Sequence, residues 1–356
     1  MKELVFRSGP LRAALVPQFG PRRFRTFLDA GGDPGELSDP DPRALAERLC
    51  ITRHEARRLA RRLREEPVEA VLDETARLGA RAIVWGDPEY PSGLARLSDP
   101  PPALFVRGEL PGPRDRTAAM VGSRKASAYG LRMARTLATD LVRAGFTVVS
   151  GLARGIDAAA HEAVLAAEGR TIAVLGSGLA RPYPPEHTDL LERVAASGAV
   201  ISEFPHEAPP MRANFPRRNR LVAALSEAVL VVEAGRRSGA LTTARHAADL
   251  GVEVLAVPGP VDQEQSLGTL ALLRDGAAPL GSVQDLFVAL GFCDPARLDL
   301  PDAEQSALGA ITPSGSTVRE VAGRLGWEDE IAAGYLVTLE VRGLVERESG
   351  GRYVVR

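Results

Sequence analysis

Between residues 117 and 290 the chain repeats one unit: a short apolar run, a turn of glycine and small polar residues, then an amphipathic stretch of helical period. The apolar runs fall at Thr117–Val121, Phe146–Val149, Thr171–Leu175, Ala199–Ile201, Ala228–Val232 and Val252–Val257. The helical stretches cover about 127–144, 155–168, 186–196, 217–225 and 239–249. Strands that lack polar alternation need cover on both faces, and the intervening helices supply it. The pattern therefore predicts an α/β fold built on a doubly wound, mostly parallel sheet.

The flanks differ. In residues 1–78, Leu11–Phe19, the turn Gly20-Pro21 and Arg22–Ala30 predict helix, tight turn, helix, and Pro40-Asp41-Pro42 opens a further helix. A helix-hairpin-helix that offers its turn amides to a DNA phosphate and a plain helical bundle both fit this segment. Thr52–Glu66 carries Arg53, Arg57, Arg58, Arg61, Arg62 and Arg64 among Glu55, Glu65 and Glu66, as an auxiliary basic face or a solvated flank. Ala82–Trp85 and Leu104–Val106 predict two short strands at the entry to the main domain, residues 79–292. Residues 293–305, with Pro295 and Pro301, are the expected linker. Residues 306–356 then predict a helix from about Ser306–Leu308, a second capped by Ser314-Gly315-Ser316-Thr317, a third at Glu328–Leu339, and a hairpin of Gly343–Arg347 and Arg352–Val355. That is winged-helix order. Its third helix has three acids and no Arg or Lys, whereas a groove-reading helix needs cations, so this module is expected to contact protein rather than a major groove.

A net charge of -2 excludes a global positive field, so any nucleic-acid site must be a local patch. Lys2 and Lys125 are the only lysines. Arginine suits bidentate phosphate contacts, although a GC-rich genome produces the same bias. Cys50 and Cys293 form no CxxC, and the five histidines have no ligand spacing, so neither a disulfide scaffold nor a recognisable zinc site is expected. No cofactor is called for. The start MKELVFRSGP lacks the apolar core of a signal peptide and no run is long enough to span a bilayer, which makes the cytoplasm the expected location.

Ligands of open parallel sheets bind beyond the carboxyl ends of the strands. There the sequence places Gly122-Ser123-Arg124-Lys125, then Ser150-Gly151-Leu152-Ala153-Arg154-Gly155-Ile156-Asp157, Gly176-Ser177-Gly178, Glu233-Ala234, Ser238-Gly239 and Pro258-Gly259-Pro260. Glycines admit close backbone approach, and amides at helix starts cradle phosphate. Arg212 and Phe215-Pro216-Arg217-Arg218-Asn219-Arg220 add cations and an aromatic ring, with Tyr183 as a second ring. Together with Arg124, Lys125 and Arg154 these predict a positive cleft in which a phosphate backbone binds and a base stacks. Neither GxGxxG after the first strand nor GxxxxGK[ST] is present. Catalytic readings are available in outline: Asp157 and His161 resemble half a triad, and Glu203 with Glu233 resembles a carboxylate pair for glycoside or phosphoribosyl cleavage. An i, i+4 pairing and loop-amide acceptance, respectively, explain them equally well.

The ordered set Val121–Lys125, Ser150–Asp157 with Ala160-His161, Tyr183-Pro184, Ile201-Ser202-Glu203, Phe215–Arg220, Val232-Glu233-Ala234, Ser238-Gly239 and Val257-Pro258-Gly259 resembles the DprA/Smf family of DNA-processing proteins. Trp85–Pro91 and Pro101–Phe105 fit it too, so the likeness covers about residues 80–290. The resemblance implies a protein without enzymatic activity that binds and protects single-stranded DNA during natural transformation or recombination and helps load RecA recombinase. It implies an extended Rossmann-like domain flanked by a SAM-like helical domain and a winged-helix domain, and a homodimer through the Rossmann-like part. Carried across, the DNA pocket falls on Gly122, Ser123, Arg124 and Lys125, with Arg217, Arg218 and Arg220 near it; Arg154, Arg212, Phe215, Asn219 and Gly239 complete the expected contacts. One departure is Gly268-Thr269-Leu270, where the family commonly has asparagine in place of Leu270. A nucleotide enzyme of the phosphoribohydrolase type is the alternative on the same fold, but its PGGxGTxxE stretch is not reproduced.

Overall fold

The computed structural model describes residues 2–291, 300–312, 315–341, 344–348 and 350–355. The chain divides into two compact units, residues 1–283 and 284–356. Of the expected linker, 293–305, residues 293–299 lie outside the described residues, as do Ser314 and Gly343 of the C-terminal motif; the linker's end is shorter than expected, because Leu300 is buried in the C-terminal core and a helix begins at Asp302.

The first unit opens with helices α1 (Lys2–Leu15), α2 (Gly20–Asp29), α3 (Pro42–Arg48), α4 (Arg53–Glu65) and α5 (Val68–Arg77). The side chains of Asp41 and Thr52 cap α3 and α4 by accepting from free amides of their first turns. Their core is aromatic and aliphatic, with Phe19, Phe24, Phe27, Leu37, Leu45, Leu59 and Leu63 buried. Arg12 ties α1 to the end of α4 by donating to the carbonyls of Leu63 and Arg64, both at 2.6 Å.

The chain then builds β1 (Ala80–Val84), a short helix α6 (Ser92–Ala95), β2 (Ala103–Gly108), β3 (Arg116–Gly122), α7 (Ala128–Arg143), β4 (Phe146–Ser150), α8 (Ile156–Ala166), β5 (Thr171–Val174), α9 (Thr188–Ser197), β6 (Ala199–Ser202), α10 (Asn214–Ala224), β7 (Ala228–Glu233), α11 (Ala240–Asp249), β8 (Glu253–Ala256), α12 (Leu267–Arg274), β9 (Ala278–Pro279) and α13 (Val283–Ala289). Among the described residues these strands form one sheet in the order β1-β2-β6-β5-β4-β3-β7-β8-β9. All pairings from β6 to β9 are parallel, and β1 and β2 extend the β6 edge antiparallel. The six apolar runs of the sequence pattern are all strands of the parallel part. The two entry strands, β1 and β2, continue the same sheet.

Alternation along each strand feeds two cores. Ile172, Val174 and Ile201 pack with Leu221–Ala224 of α10 and Ala240, Ala244 and Ala247 of α11. Ala173 and Val200 point the other way, against Leu190, Leu191 and Val194 of α9. At the antiparallel edge Ile83, Leu104 and Val106 join the first core, while Ala82, Val84, Ala103 and Phe105 receive Leu11, Leu15 and Val68 of the N-terminal helices. The N-terminal helices thus cover the sheet's extension.

The topology fixes where a ligand can enter. From β3 the chain winds one way to β6, whereas β7, β8 and β9 lie on the other side of β3. The switch point is the β3–β7 seam, where two adjacent crossovers diverge and leave a crevice at the strand ends.

In the second unit, α14 (Asp302–Gly309), β10 (Ser316–Thr317), α15 (Val318–Leu325), α16 (Asp329–Val341), β11 (Val345–Arg347) and β12 (Arg352–Val355) enclose Ala307, Val321, Leu336, Leu339, Leu344 and Tyr353. The strands pair antiparallel in the order β10-β12-β11. Thr317 and Glu320 form a reciprocal capping box at the start of α15. The short strand β10 was not visible in the sequence because two residues carry no period. No helix among the described residues is long and apolar enough to cross a membrane.

Since Leu104 is fully buried on β2, which pairs antiparallel with both β1 and β6, Leu104→Ala should lower unfolding free energy by about 2–5 kcal/mol. Denaturant titration checks this; an unchanged midpoint would mean that the edge is not part of the cooperative sheet.

Candidate functional site

The loop after β3 is set by the residue that ends β7. The Glu233 carboxylate accepts from the Ser127 amide at 3.0 Å and from the Ser127 hydroxyl, while the Glu233 carbonyl accepts from the Ser123 amide at 2.7 Å. Ser127 Oγ also accepts from Gly130 and so caps α7. A side chain at Gly130 would meet Glu233 Oε2 at 2.5 Å, which is why the helix start comes so close to the strand end. On the other flank Gly155 takes φ +77°, and a Cβ there would stand 2.2 Å from the Ser123 carbonyl. Ser123-Arg124-Lys125 is therefore held between two loops with its cations outward.

Beneath it lies a buried polar layer. Arg218 of α10 is 4% exposed and donates to the Gly151 carbonyl at 3.0 Å. A Cβ on Gly151 would lie 1.6 Å from its guanidinium, so glycine makes the room. Burial pulls the Arg218 pKa down to about 10, partly offset by the Asp157 carboxylate, and it stays charged at neutral pH. Asp157 accepts from the Gly151 amide at 3.1 Å; burial raises its pKa, against the opposing pull of Arg218.

A cleft of about 1170 Å³ opens over the β3–β7 seam. Of the expected contacts it is lined by Gly122, Ser123, Arg124, Lys125, Arg212, Phe215, Arg218, Asn219 and Gly239. Arg124 stacks over the Phe215 ring at 4.9 Å, and Phe215 meets Tyr183 with ring centroids 5.6 Å apart. Gly176 lies under Phe215, where a Cβ would come within 2.8 Å of the ring. Asn219 donates to the Gly239 carbonyl at 3.1 Å. A Cβ on Gly239 would meet nothing within 4 Å, so the protein's own packing does not require glycine there. Arg154 stands in an adjoining recess with Arg124, Tyr183 and Phe215, paired to Glu186 at 2.5 Å.

Arg217 and Arg220 are not brought into the cleft. Arg220 is 3% exposed and pairs with Glu203 at 2.6 Å and Asp99 at 3.3 Å; Arg217 pairs with the same Glu203 oxygen at 3.1 Å. On α10, Arg218 and Arg220 are two positions apart, and such residues do not share a helix face, so only one of them can line the seam. Two residues missed from sequence do line the cleft: Arg236 and Arg237, both exposed. The signal was present, because they follow the fifth strand directly and precede Ser238-Gly239. Among the described residues no carboxylate is within ion-pair distance of Arg124, Lys125, Arg212, Arg236 or Arg237. Glu264 is an acid on the rim.

The catalytic outlines dissolve. Thr171 gives its hydroxyl proton to the Val148 carbonyl at 2.8 Å, so His161 donates from Nδ1 to Thr171 at 2.7 Å. Complete burial drives the His161 pKa down to about 3 and leaves a neutral ring in the core. Glu203 is committed to arginines and Glu233 to Ser127. Among the described residues no cluster of three or more His, Cys, Asp or Glu is placed to hold a metal. The departure at Leu270 falls inside α12, where the Gly268 amide donates to the Ala234 carbonyl at 2.7 Å.

Residues 81–291 match the family described as DNA recombination-mediator protein A. The chain belongs to this family, the DprA/Smf proteins. It is 39% identical to Smf of Escherichia coli over 280 residues, covering 74% of each chain. It is 41% identical to Smf of Synechocystis over 229 residues, which is 62% of this chain and 56% of that protein. The X-ray structure of DNA processing protein A from Streptococcus pneumoniae matches with a TM-score of 0.68 at 29% identity, covering 79% of this chain and 95% of that one. DNA processing protein A from Helicobacter pylori, described for its single-stranded DNA binding mode, matches with a TM-score of 0.53 at 28% identity over 60% of this chain and 97% of that one. The family shares the mixed α/β fold with this DprA/Smf protein.

Removing Arg220 takes the closer of its two arginines from the buried Glu203 and leaves it only the half-exposed Arg217, so Arg220→Ala should destabilise the fold by about 3 kcal/mol. Thermal unfolding checks this. A variant of wild-type stability that instead lost DNA affinity would return Arg220 to the binding surface.

Proposed function

We propose that this DprA/Smf protein binds single-stranded DNA without sequence preference, along the cleft at the β3–β7 seam, and catalyses no reaction on it. One observation carries the reading. Five exposed cations, Arg124, Lys125, Arg212, Arg236 and Arg237, surround a glycine floor and the Phe215–Tyr183 ring pair in a protein of net charge -2. Phosphates release counterions to the cations and bases stack on the rings, each stacked base contributing about 1–3 kcal/mol. The direct contacts are then Gly122, Ser123, Arg124, Lys125, Arg212, Phe215, Asn219, Arg236, Arg237 and Gly239, with Arg154 beside them; Arg218 fixes the floor.

Family membership supports a place in recombination, with the bound strand handed to RecA recombinase, and a homodimer built through the α/β domain. It also supports the division into a SAM-like domain at 1–78, an extended Rossmann-like domain at 79–292 and a winged helix that, with α14 in its core, begins before the expected residue 306, in a cytoplasmic protein. The winged helix serves protein contact: α16 carries no cation and leaves Ile331, Val337 and Val341 48–84% exposed.

Arg124→Ala/Lys125→Ala should weaken single-strand binding at every sequence and reduce the slope of log affinity against log salt by about 1.4. A fluorescence-anisotropy salt titration reads both quantities. Unchanged affinity and slope would remove the cleft as the binding site.

A further inference from the structure

The cleft leaves one charged surface without a use. Helix α4 buries Ala56, Leu59, Ala60 and Leu63 and exposes Arg53, Arg57, Arg58, Arg61 and Arg62. Arg53, Arg57 and Arg61 follow one another at i, i+4, and so do Arg58 and Arg62. Like charges at that spacing oppose helix formation, so this arrangement works against the helix's own stability. The nearby acids give little relief. Glu55 is engaged by Arg23 at 2.6 Å, Asp39 by Arg64 at 2.5 Å, and Glu65 reaches Arg61 only at 3.8 Å. Among the described residues no ion pair reaches Arg53, Arg57, Arg58 or Arg62; Arg62 donates to Gln18 at 3.1 Å. Arg58 and Arg62 also form one wall of a concavity of about 200 Å³ whose other side is Gln18 and Arg23, at the turn between α1 and α2.

We infer that this face of α4 is a second nucleic-acid contact, and that it takes the phosphate backbone of a duplex rather than a single strand. The choice between the two follows from what accompanies the cations. A single-strand platform combines charge with exposed rings. In this module Phe19, Phe24 and Phe27 are all buried, and among residues 7–78 no large hydrophobic side chain is exposed. What remains is a straight, aromatic-free row of guanidinium groups on a rigid helix, which matches phosphates held at regular spacing and reads no base. With the single strand in the β3–β7 cleft, the same compact unit then holds both arms of a junction between single-stranded and double-stranded DNA.

The test uses the full-length protein and the variant Arg57→Ala/Arg58→Ala/Arg62→Ala, with three labelled probes: a single strand, a blunt duplex of the same length, and a duplex carrying a single-stranded tail. The inference expects the variant to lose duplex binding, with the duplex salt slope lower by about 2.7. It also expects loss of the extra affinity of the tailed duplex over the single strand, while single-strand affinity stays within about twofold. The companion Arg57→Lys/Arg58→Lys/Arg62→Lys should keep most duplex affinity, which separates lost charge from a damaged fold. Wild-type protein that does not bind the duplex at low salt, or a variant with undiminished duplex affinity, overturns the inference. Equal loss on the single strand and the duplex overturns the division of labour. The cleft variant Arg124→Ala/Lys125→Ala, run alongside, reports on the cleft separately through the single-strand probe.

Discussion

Glu233 joins strand β7 to the start of α7 across the switch point of the sheet, and the geometry of the cleft follows from that join. Its carboxylate takes the Ser127 amide and hydroxyl, and its carbonyl takes the Ser123 amide. Strand end, loop and helix cap therefore move as one body. Gly122 and Gly130 allow the approach, since a Cβ on either would collide with Glu233 or Ile156. A carboxylate that could have been catalytic acts here as a structural acceptor, at 3% exposure. The Glu233 carbonyl holds the Ser123 amide and the Ser123 hydroxyl accepts from the Lys125 amide, which fixes the loop that carries the exposed Arg124 and Lys125.

The same chain sorts its arginines by burial into two physical roles. Arg220, sealed against Glu203 and Asp99, and Arg218, seated on Gly151, hold α10 to the sheet. Buried ion pairs of this kind fix geometry, and losing one partner leaves a charge that water cannot reach. Arg124, Arg212, Arg236 and Arg237 remain solvated, and solvated charges are the ones that exchange counterions for phosphate at little cost. A protein with net charge -2 can bind a polyanion in this way because the unpaired cations gather where the topology leaves a crevice.

The sheet was legible in the sequence because buried parallel strands are continuous apolar runs and helices carry a distinct period. Each of the six runs is a strand. The placement of β1 and β2 was not legible, since local pattern gives a strand but not its neighbour. The loop Gly122–Lys125 at the strand end and the rings Phe215 and Tyr183 beside it could be anticipated from residue type, and all of them line the cleft. The fate of Arg217 and Arg220 could not, because it depends on which face of α10 meets Glu203. Arg236 and Arg237 were in plain view after the fifth strand, and their role emerges only when β7 is seen to lie beside β3. Cys293 lies outside the described residues.

The proposed path takes a single strand over the Phe215–Tyr183 rings at the β3–β7 seam. Photocrosslinking of an oligonucleotide carrying 5-iododeoxyuridine, followed by peptide mapping, tests this most directly because the halogenated base couples to the aromatic ring on which it stacks. Adducts are expected on the peptides containing Phe215 or Tyr183, suppressed by excess unlabelled single strand. Adducts confined to the C-terminal unit or to the N-terminal helices, with none on either ring, would contradict it.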